Sequence, residues 1–175
     1  MALESPDVLL SKMAEQLKTR INNQHIDNPA MIGIHTGGVW VARHLHQQLG
    51  IEEPLGTLDI SFYRDDFSRI GMSPQVKPSQ LPFSIDDRNI ILVDDVLYTG
   101  RTIRAALNEL FDYGRPASIT LAVLIVRSGR EIPISADVAG TELVLEKHQQ
   151  IKLYVPAGCK ETDALSLEIV EVTNN

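Results

Sequence analysis

The stretch Asn89-Ile-Ile-Leu-Val-Asp-Asp-Val-Leu-Tyr-Thr-Gly-Arg-Thr102 sets two adjacent carboxylates at the end of an apolar run, with a Thr-Gly-Arg-Thr loop three residues beyond. The two halves suit different parts of one ligand. A loop that opens a helix presents unpaired backbone N–H groups and a partial positive charge, so Tyr98–Thr102 is suited to cradle a phosphate. Gly100 allows close backbone approach, and Thr99 and Thr102 add hydroxyl donors. The carboxylates of Asp94 and Asp95 cannot bind that phosphate and must face another group. The vicinal hydroxyls of a ribose fit, as does a Mg²⁺ ion held with water between. A ribose phosphate satisfies both halves at once. Adjacent acids also suit positive charge developing on a sugar ring as its anomeric bond breaks. Either half alone is equally well read as a solvated turn or a capped helix start; the pair at this spacing is what points to a ligand.

Other chemistries fit less well. Gly100-Arg101-Thr102 looks like the end of a nucleotide-triphosphate loop, but that motif needs glycine where Asp95 stands, and no dinucleotide glycine fingerprint is present. His44 and His46 are two apart on an expected helix, on different faces, which argues against a zinc site. Cys159 is the single cysteine, so an intrachain disulfide is impossible and nothing nearby activates it as a nucleophile.

The elements that must position the motif follow from periodicity. Leu9, Met13, Leu17 and Ile21 recur at helical spacing after Ser5-Pro6-Asp7, which predicts a first helix. Met31–Ile34 reads as a strand, His35-Thr36-Gly37-Gly38 as a glycine loop, and Val41, Leu45 and Leu49 as a helix ending at Gly50. Thr57–Tyr63 alternates as a strand, and after Arg64 a polar, Pro-containing segment to about residue 82 is too long for an idle loop. Ile90–Val93 is a buried strand, Ile103, Ala106, Leu107 and Leu110 line a helix that stops at Gly114, and Ile119–Val126 is a further strand. Strands alternating with helices predict an α/β fold with a mainly parallel sheet flanked by helices. Glu142–Leu145, Lys152–Val155 and Leu165–Val172 alternate without helices between, as a small hood, a hairpin or a sheet edge.

With 175 residues, 43% of them hydrophobic, the expectation is one domain over residues 1–175. No apolar run is long enough for a membrane span, and the N-terminus lacks a secretory pattern, so a soluble cytoplasmic protein is expected. The formal charge of −7 argues against sequence-independent nucleic-acid binding. Lys12, Lys18 and Arg20 do not share one helical face and are read as solvating charges. Trp40, after the glycine loop, is read as a packing residue in a core or interface.

Four apolar residues, two acids and a loop ending in T-G-x-T resemble the signature of the type I phosphoribosyltransferases. More narrowly, VDDVLYTGRTIRAAL is similar to the family of pyrimidine-operon attenuation regulators and uracil phosphoribosyltransferases. Ser61-Phe-Tyr-Arg-Asp-Asp66, the Pro-containing stretch and Leu81–Ile85 resemble that family's flap, about residues 64–82, and its return; the hood would span about 130–175. The likeness covers roughly residues 5 to 140. It implies transfer of ribose phosphate from phosphoribosyl diphosphate to uracil, giving UMP and pyrophosphate, with Mg²⁺ held through water at Asp94 and Asp95. Carried over, Asp94 and Asp95 hold the ribose, Tyr98, Thr99, Gly100, Arg101 and Thr102 hold its 5′-phosphate, and His35, Thr36, Gly37 and Gly38 hold pyrophosphate. Arg64 and the flap close over the diphosphate, and Arg127 and Arg130 lie at the base and hood. The resemblance also implies a homo-dimer or tetramer and, in the family's regulators, RNA as a partner, which the acidic charge counts against here. Purine-using relatives carry an acid where Tyr98 stands, which favours a pyrimidine.

Three places depart from the family. Thr36-Gly37-Gly38 stands for the usual Thr-Arg-Gly, so a phosphate-neutralising guanidinium is missing unless Arg43 or His35 compensates. Ile125–Pro133 keeps Arg127, Arg130, Glu131 and Pro133 of the family's pattern but not Val126, Ser128 and Gly129. Gly140–Glu146 replaces a further family segment. These departures spare the ribose-phosphate end. They leave two expectations of different class: an active uracil phosphoribosyltransferase, or a non-catalytic regulator that senses UMP or phosphoribosyl diphosphate.

Overall fold

A computed structural model describes residues 3–60 and 79–172 of the chain. Helix α1 (Pro6–Asn23) starts with proline in its first turn, where a missing N–H costs nothing, and buries Leu9, Leu10, Met13 and Leu17. Strand β1 (Ala30–Ile34) leads into α2 (Gly37–Leu49), so the glycine loop is partly the helix's own first turn. Gly50 ends α2 at φ +61°, a left-handed cap that glycine takes without strain. Strands β2 (Gly56–Leu58) and β3 (Asn89–Leu97), helix α3 (Arg101–Tyr113) and strand β4 (Ser118–Arg127) complete the expected alternation. They are followed by β5 (Val138–Leu143), β6 (Gln149–Tyr154) and β7 (Ser166–Glu171).

The main sheet is parallel throughout, in the order β2-β1-β3-β4-β5. Period-two alternation distributes its side chains between two cores. Ile91, Val93, Ala122 and Leu124 pack with α1 and α2, while Ile90, Leu92, Leu121 and Val123 pack with Ile103, Ala106 and Leu110 of α3. A fully buried Leu10→Ala change costs about 2–5 kcal/mol by removing methyl groups that α1 contributes to the first core.

Two of the three readings of the C-terminal runs are realised together. β5 is the parallel edge of the main sheet, reached from β4 by residues 128–137 without a helix, and its span lies earlier than the Glu142–Leu145 run. β6 and β7 form a separate antiparallel hairpin whose Ile151 and Leu153, with Leu165, join the core of α1 and α2. The strand expected over 57–63 is shorter within the described residues. Its ladder stops at Leu58 because the Asp59 N–H donates to Ser79 Oγ (3.0 Å) rather than to a neighbouring strand. Residues 61–63, Arg64 and the flap to residue 78 lie outside the described residues. The chain is tied down where the described residues resume: Thr57 and Gln80 exchange both backbone hydrogen bonds at 2.8 Å.

Candidate active site

The acid pair lies inside β3, not beyond it: the ladder continues past it, with Asp94 opposite Val123 and Leu97 opposite Val126. Both carboxylates border the first turn of α2: a Cβ at Gly37 would lie 2.2 Å from Asp95 Oδ2 and one at Gly38 3.0 Å from Asp94 Oδ1. Asp94 is 2% exposed and Asp95 is half-buried. Each is fixed by the next residue's backbone: the Asp95 N–H donates to Asp94 Oδ1 (2.9 Å) and the Val96 N–H to Asp95 Oδ1 (3.0 Å).

The first turn of α2 sits directly on this strand end. A Cβ added to Gly37 would fall on the Asp95 carboxylate, and one added to Gly38 would lie 2.7 Å from the Val93 carbonyl oxygen and 2.9 Å from Asp94 Cα. Only glycines permit that approach, so the fold brings the His35–Gly38 loop and the acid pair into contact. The His35–Thr36 peptide is cis, and the His35 N–H donates to the Leu58 carbonyl (2.9 Å).

The Thr99–Thr102 loop turns into α3 through Gly100 at φ +94°, a conformation that side chains other than glycine adopt at a cost. The Arg101 N–H donates to Thr99 Oγ1 (3.3 Å). Behind the loop, the Thr99 carbonyl accepts from the N–H groups of Glu131 (3.0 Å) and Ile132 (3.1 Å). Arg101 pairs with Glu131 Oε2 through Nε (3.1 Å) and Nη2 (3.0 Å), both side chains about half exposed.

Tyr98 lies between the acid pair and the loop, and its ring is held by the end of β4. The Arg127 guanidinium stands 4.0 Å from the ring centroid, and a Cβ at Gly129 would lie 2.5 Å from Tyr98 Cε2. Arg127 is 7% exposed, donates through Nη2 to the Glu146 carbonyl (3.2 Å), and its buried Nε has no hydrogen-bond partner among the described residues. Arg130 is exposed on the crossover after β4.

Several expectations change. Arg43 does not compensate for Gly37: its guanidinium pairs with the Glu161 carboxylate, and the neighbouring His44 Nε2 meets the Glu161 carbonyl (3.0 Å). Arg20 is half-buried against Asp137 (2.9 Å), whereas Lys12 is exposed in a surface pair with Glu4 (2.6 Å). Trp40 packs, as expected, at the margin of the core of α1 and α2. The backbone donors at Glu131 and Ile132 and the contact of Gly129 with Tyr98 escaped the sequence. The Ser128-Gly129 pair marks a turn, but nothing in sequence says which ring it abuts.

Among the described residues no three His, Cys, Asp or Glu side chains are grouped to hold a metal ion. Among them, too, no helix is long and apolar enough to cross a membrane.

A parallel sheet flanked by helices, with two adjacent acids at one strand end and a Thr-Gly-Arg-Thr turn into the next helix, is the type I phosphoribosyltransferase fold. The phosphoribosyl transferase domain pattern matches residues 7–156, and the chain belongs to that family. Within it the chain is similar to proteins named Bifunctional protein PyrR. It is 63% identical over 152 residues to that of Nitrosococcus oceani, covering 86% of each chain. It is 56% identical over 157 residues to that of Pseudomonas aeruginosa, covering 90% of this chain and 92% of the relative. Solved structures of the same fold include a hypoxanthine phosphoribosyltransferase from Staphylococcus aureus (TM-score 0.65, 17% identity, 85% of this chain and 79% of that one). A hypoxanthine-guanine-xanthine phosphoribosyltransferase superposes with a TM-score of 0.60 at 20% identity, over 82% and 79% of the two chains.

Proposed function

We propose that the protein transfers the 5-phosphoribosyl group from phosphoribosyl diphosphate to uracil, giving UMP and pyrophosphate, and that it regulates pyrimidine metabolism. The observation that carries the reading is the β3–α3 segment, acid pair and anion loop together, in a chain this similar to the PyrR proteins. In the reaction the C1′–N1 bond forms and the bond from C1′ to the diphosphate oxygen breaks. Diphosphate leaves with the electron pair, and the N1 proton is released to solvent.

Asp94 and Asp95 hold the ribose hydroxyls and, by their negative charge, favour the cationic sugar ring as the bond breaks. The backbone of Thr99–Thr102 at the start of α3 holds the 5′-phosphate. His35–Gly38 holds the diphosphate, Arg64 and the flap exclude water, and Arg127 and Arg130 serve the base end. The two carboxylates fit Mg²⁺, an ion that takes one or two protein carboxylates and fills its shell with water and substrate phosphate. When bound it neutralises diphosphate charge. The regulatory half of the reading rests on the relatives' name, and UMP or phosphoribosyl diphosphate is the signal sensed. RNA as the regulated partner finds little support in a charge of −7 with Lys12 and Arg20 already paired.

The test is direct. Purified protein with Mg²⁺ and phosphoribosyl diphosphate is given uracil, orotate, hypoxanthine or guanine, and the nucleotide formed is measured. UMP alone is expected. IMP or GMP in its place overturns the choice of base. No product from any base, with UMP still raising the melting temperature, leaves the protein a nucleotide-sensing regulator.

A further inference from the structure

Arg127 is a buried cation shared between two elements. It is 7% exposed, and among the described residues its guanidinium has two supports: the Tyr98 ring, 4.0 Å away at its centroid, and the Glu146 carbonyl, which accepts from Nη2 (3.2 Å). The ring stands just before the Thr99–Thr102 loop, and the carbonyl belongs to the turn between β5 and β6. A charge in so dry a place is costly to leave half supported, and its Nε already lacks a partner among the described residues. Order at one support therefore favours order at the other.

The turn is built to respond. Val144 is 90% exposed and adds little packing, so hydrogen bonds carry most of the turn's order. The Ser128 N–H donates to the Leu143 carbonyl (2.9 Å) where the turn begins. The Glu146 carbonyl that takes Arg127 also accepts the Gln149 N–H (3.0 Å), and the Glu146 N–H donates to Gln149 Oε1 (3.2 Å). Gln149 Nε2 donates to Glu171 Oε1 (3.1 Å), Glu171 Oε2 meets His148 Nε2 (3.1 Å), and the Val172 N–H donates to the His148 carbonyl (2.6 Å). Contacts thus run unbroken from the Tyr98 ring to the end of β7. Further along the hairpin, Ile151 and Leu153 are anchored in the core of α1 and α2, whereas Ile169 is 41% exposed.

We infer that Arg127 couples nucleotide binding at the Tyr98–Thr102 loop to the order of the β5–β6 turn and the adjoining ends of β6 and β7. A ribose phosphate held by Asp94, Asp95 and Thr99–Thr102 fixes the chain on both sides of Tyr98 and steadies its ring. An occupied site then holds residues 144–149 and 169–172 closed, and an empty site lets them open. This rests on the nucleotide-binding part of the reading above and deepens it, because it is the step by which occupancy is registered outside the site.

Backbone amide hydrogen exchange at residues 144–149 and 169–172, with and without saturating UMP and Mg²⁺, tests the coupling in wild-type protein, Tyr98→Phe, Tyr98→Leu and Gln149→Ala. UMP affinity is measured for each by calorimetry. UMP is expected to slow exchange at these amides about fivefold or more in wild-type protein and in Tyr98→Phe, which keeps the ring. Tyr98→Leu, altered on a different element, is expected to speed exchange there in the ligand-free protein. Gln149→Ala opens the turn while leaving Tyr98 and Arg127 in place, and because coupling is reciprocal it is expected to weaken UMP binding roughly fivefold. A glutamine that only shaped the hairpin would loosen the turn and leave UMP affinity unchanged. That result overturns the inference, as does equal exchange at the turn with and without bound UMP in wild-type protein. Absence of any UMP binding fails the nucleotide reading and takes the coupling with it, whereas binding without protection overturns the coupling alone. If Tyr98→Leu does not fold, the UMP affinity of Gln149→Ala decides.

Discussion

The Asp95 carboxylate occupies the space that a side chain at Gly37 would need. The two lie on different elements, the first turn of α2 and the end of β3, and no side chain can be added at position 37 without moving Asp95. This gives the glycine at position 37 a physical cause. The guanidinium typical of the family at that point has no room beside Asp95 as it is placed here. Gly37→Ala is expected to cost about 1 kcal/mol of stability, at the low end for overpacking because a half-buried carboxylate can yield. It is also expected to raise KM for phosphoribosyl diphosphate several-fold by displacing Asp95. Gly37→Arg should raise that KM further, despite its added charge. Steady-state kinetics against phosphoribosyl diphosphate with a parallel melting curve test this, and a lower KM in Gly37→Arg would refute it.

The acids differ in what their loss should do. Asp94 is almost fully buried and accepts the Asp95 N–H, so Asp94→Ala removes a partner from inside the fold and lowers both stability and activity. Asp95 is half exposed, and Asp95→Asn keeps an oxygen for the Val96 N–H. Its melting temperature should stay close to wild type while kcat falls on the order of a hundredfold, the scale of losing one group that stabilises transition-state charge. Wild-type turnover in Asp95→Asn would remove that carboxylate from the mechanism.

Gly100 and Glu131 separate backbone from charge at the Thr99–Thr102 loop. A Cβ at Gly100 would make only ordinary contact with Ile132 Cβ (3.4 Å), so the cost of Gly100→Ala is the backbone at φ +94°, about 1–2 kcal/mol. Glu131→Gln breaks an exposed ion pair and should change stability by under about 1 kcal/mol. Glu131→Pro removes an N–H donor to the Thr99 carbonyl, and it should loosen the loop and raise KM for phosphoribosyl diphosphate where Gln does not. Equal KM values in the two Glu131 variants would show that the backbone bond does not shape the loop.

The sequence revealed most where local chemistry decides. The left-handed cap at Gly50, the proline start of α1 and the turn at Gly100 were readable because each is set by a few neighbouring residues. The strand through Asp94 and Asp95 was cut short because two charges look like an ending, whereas β4 supplies partners as far as Leu97. β5 was misplaced because Val-Ala-Gly-Thr-Glu-Leu hardly alternates. A Cβ at Gly140 would lie 2.6 Å from the Leu124 carbonyl oxygen and 3.0 Å from Leu9 Cβ, a long-range packing no window of sequence contains. The pairing of Arg43 with Glu161 spans 118 positions and was invisible for the same reason.

The point where the chain returns at Ser79 offers a last test. Ser79 Oγ accepts the Asp59 N–H (3.0 Å) and donates to Glu109 Oε1 of α3 (2.5 Å), beside the paired backbones of Thr57 and Gln80. Asp59 is 8% exposed, so Ser79→Ala takes the hydroxyl acceptor from its N–H in a nearly dry place and should cost about 1–3 kcal/mol. Glu109 is only half-buried and can turn to water, so Glu109→Ala alone should cost less. Because one hydroxyl serves both partners, the double variant should be less destabilised than the sum of the two single ones, by about 0.5 kcal/mol or more. Denaturant titration of the four proteins measures this, and strict additivity would show that the serine does not link Asp59 to α3.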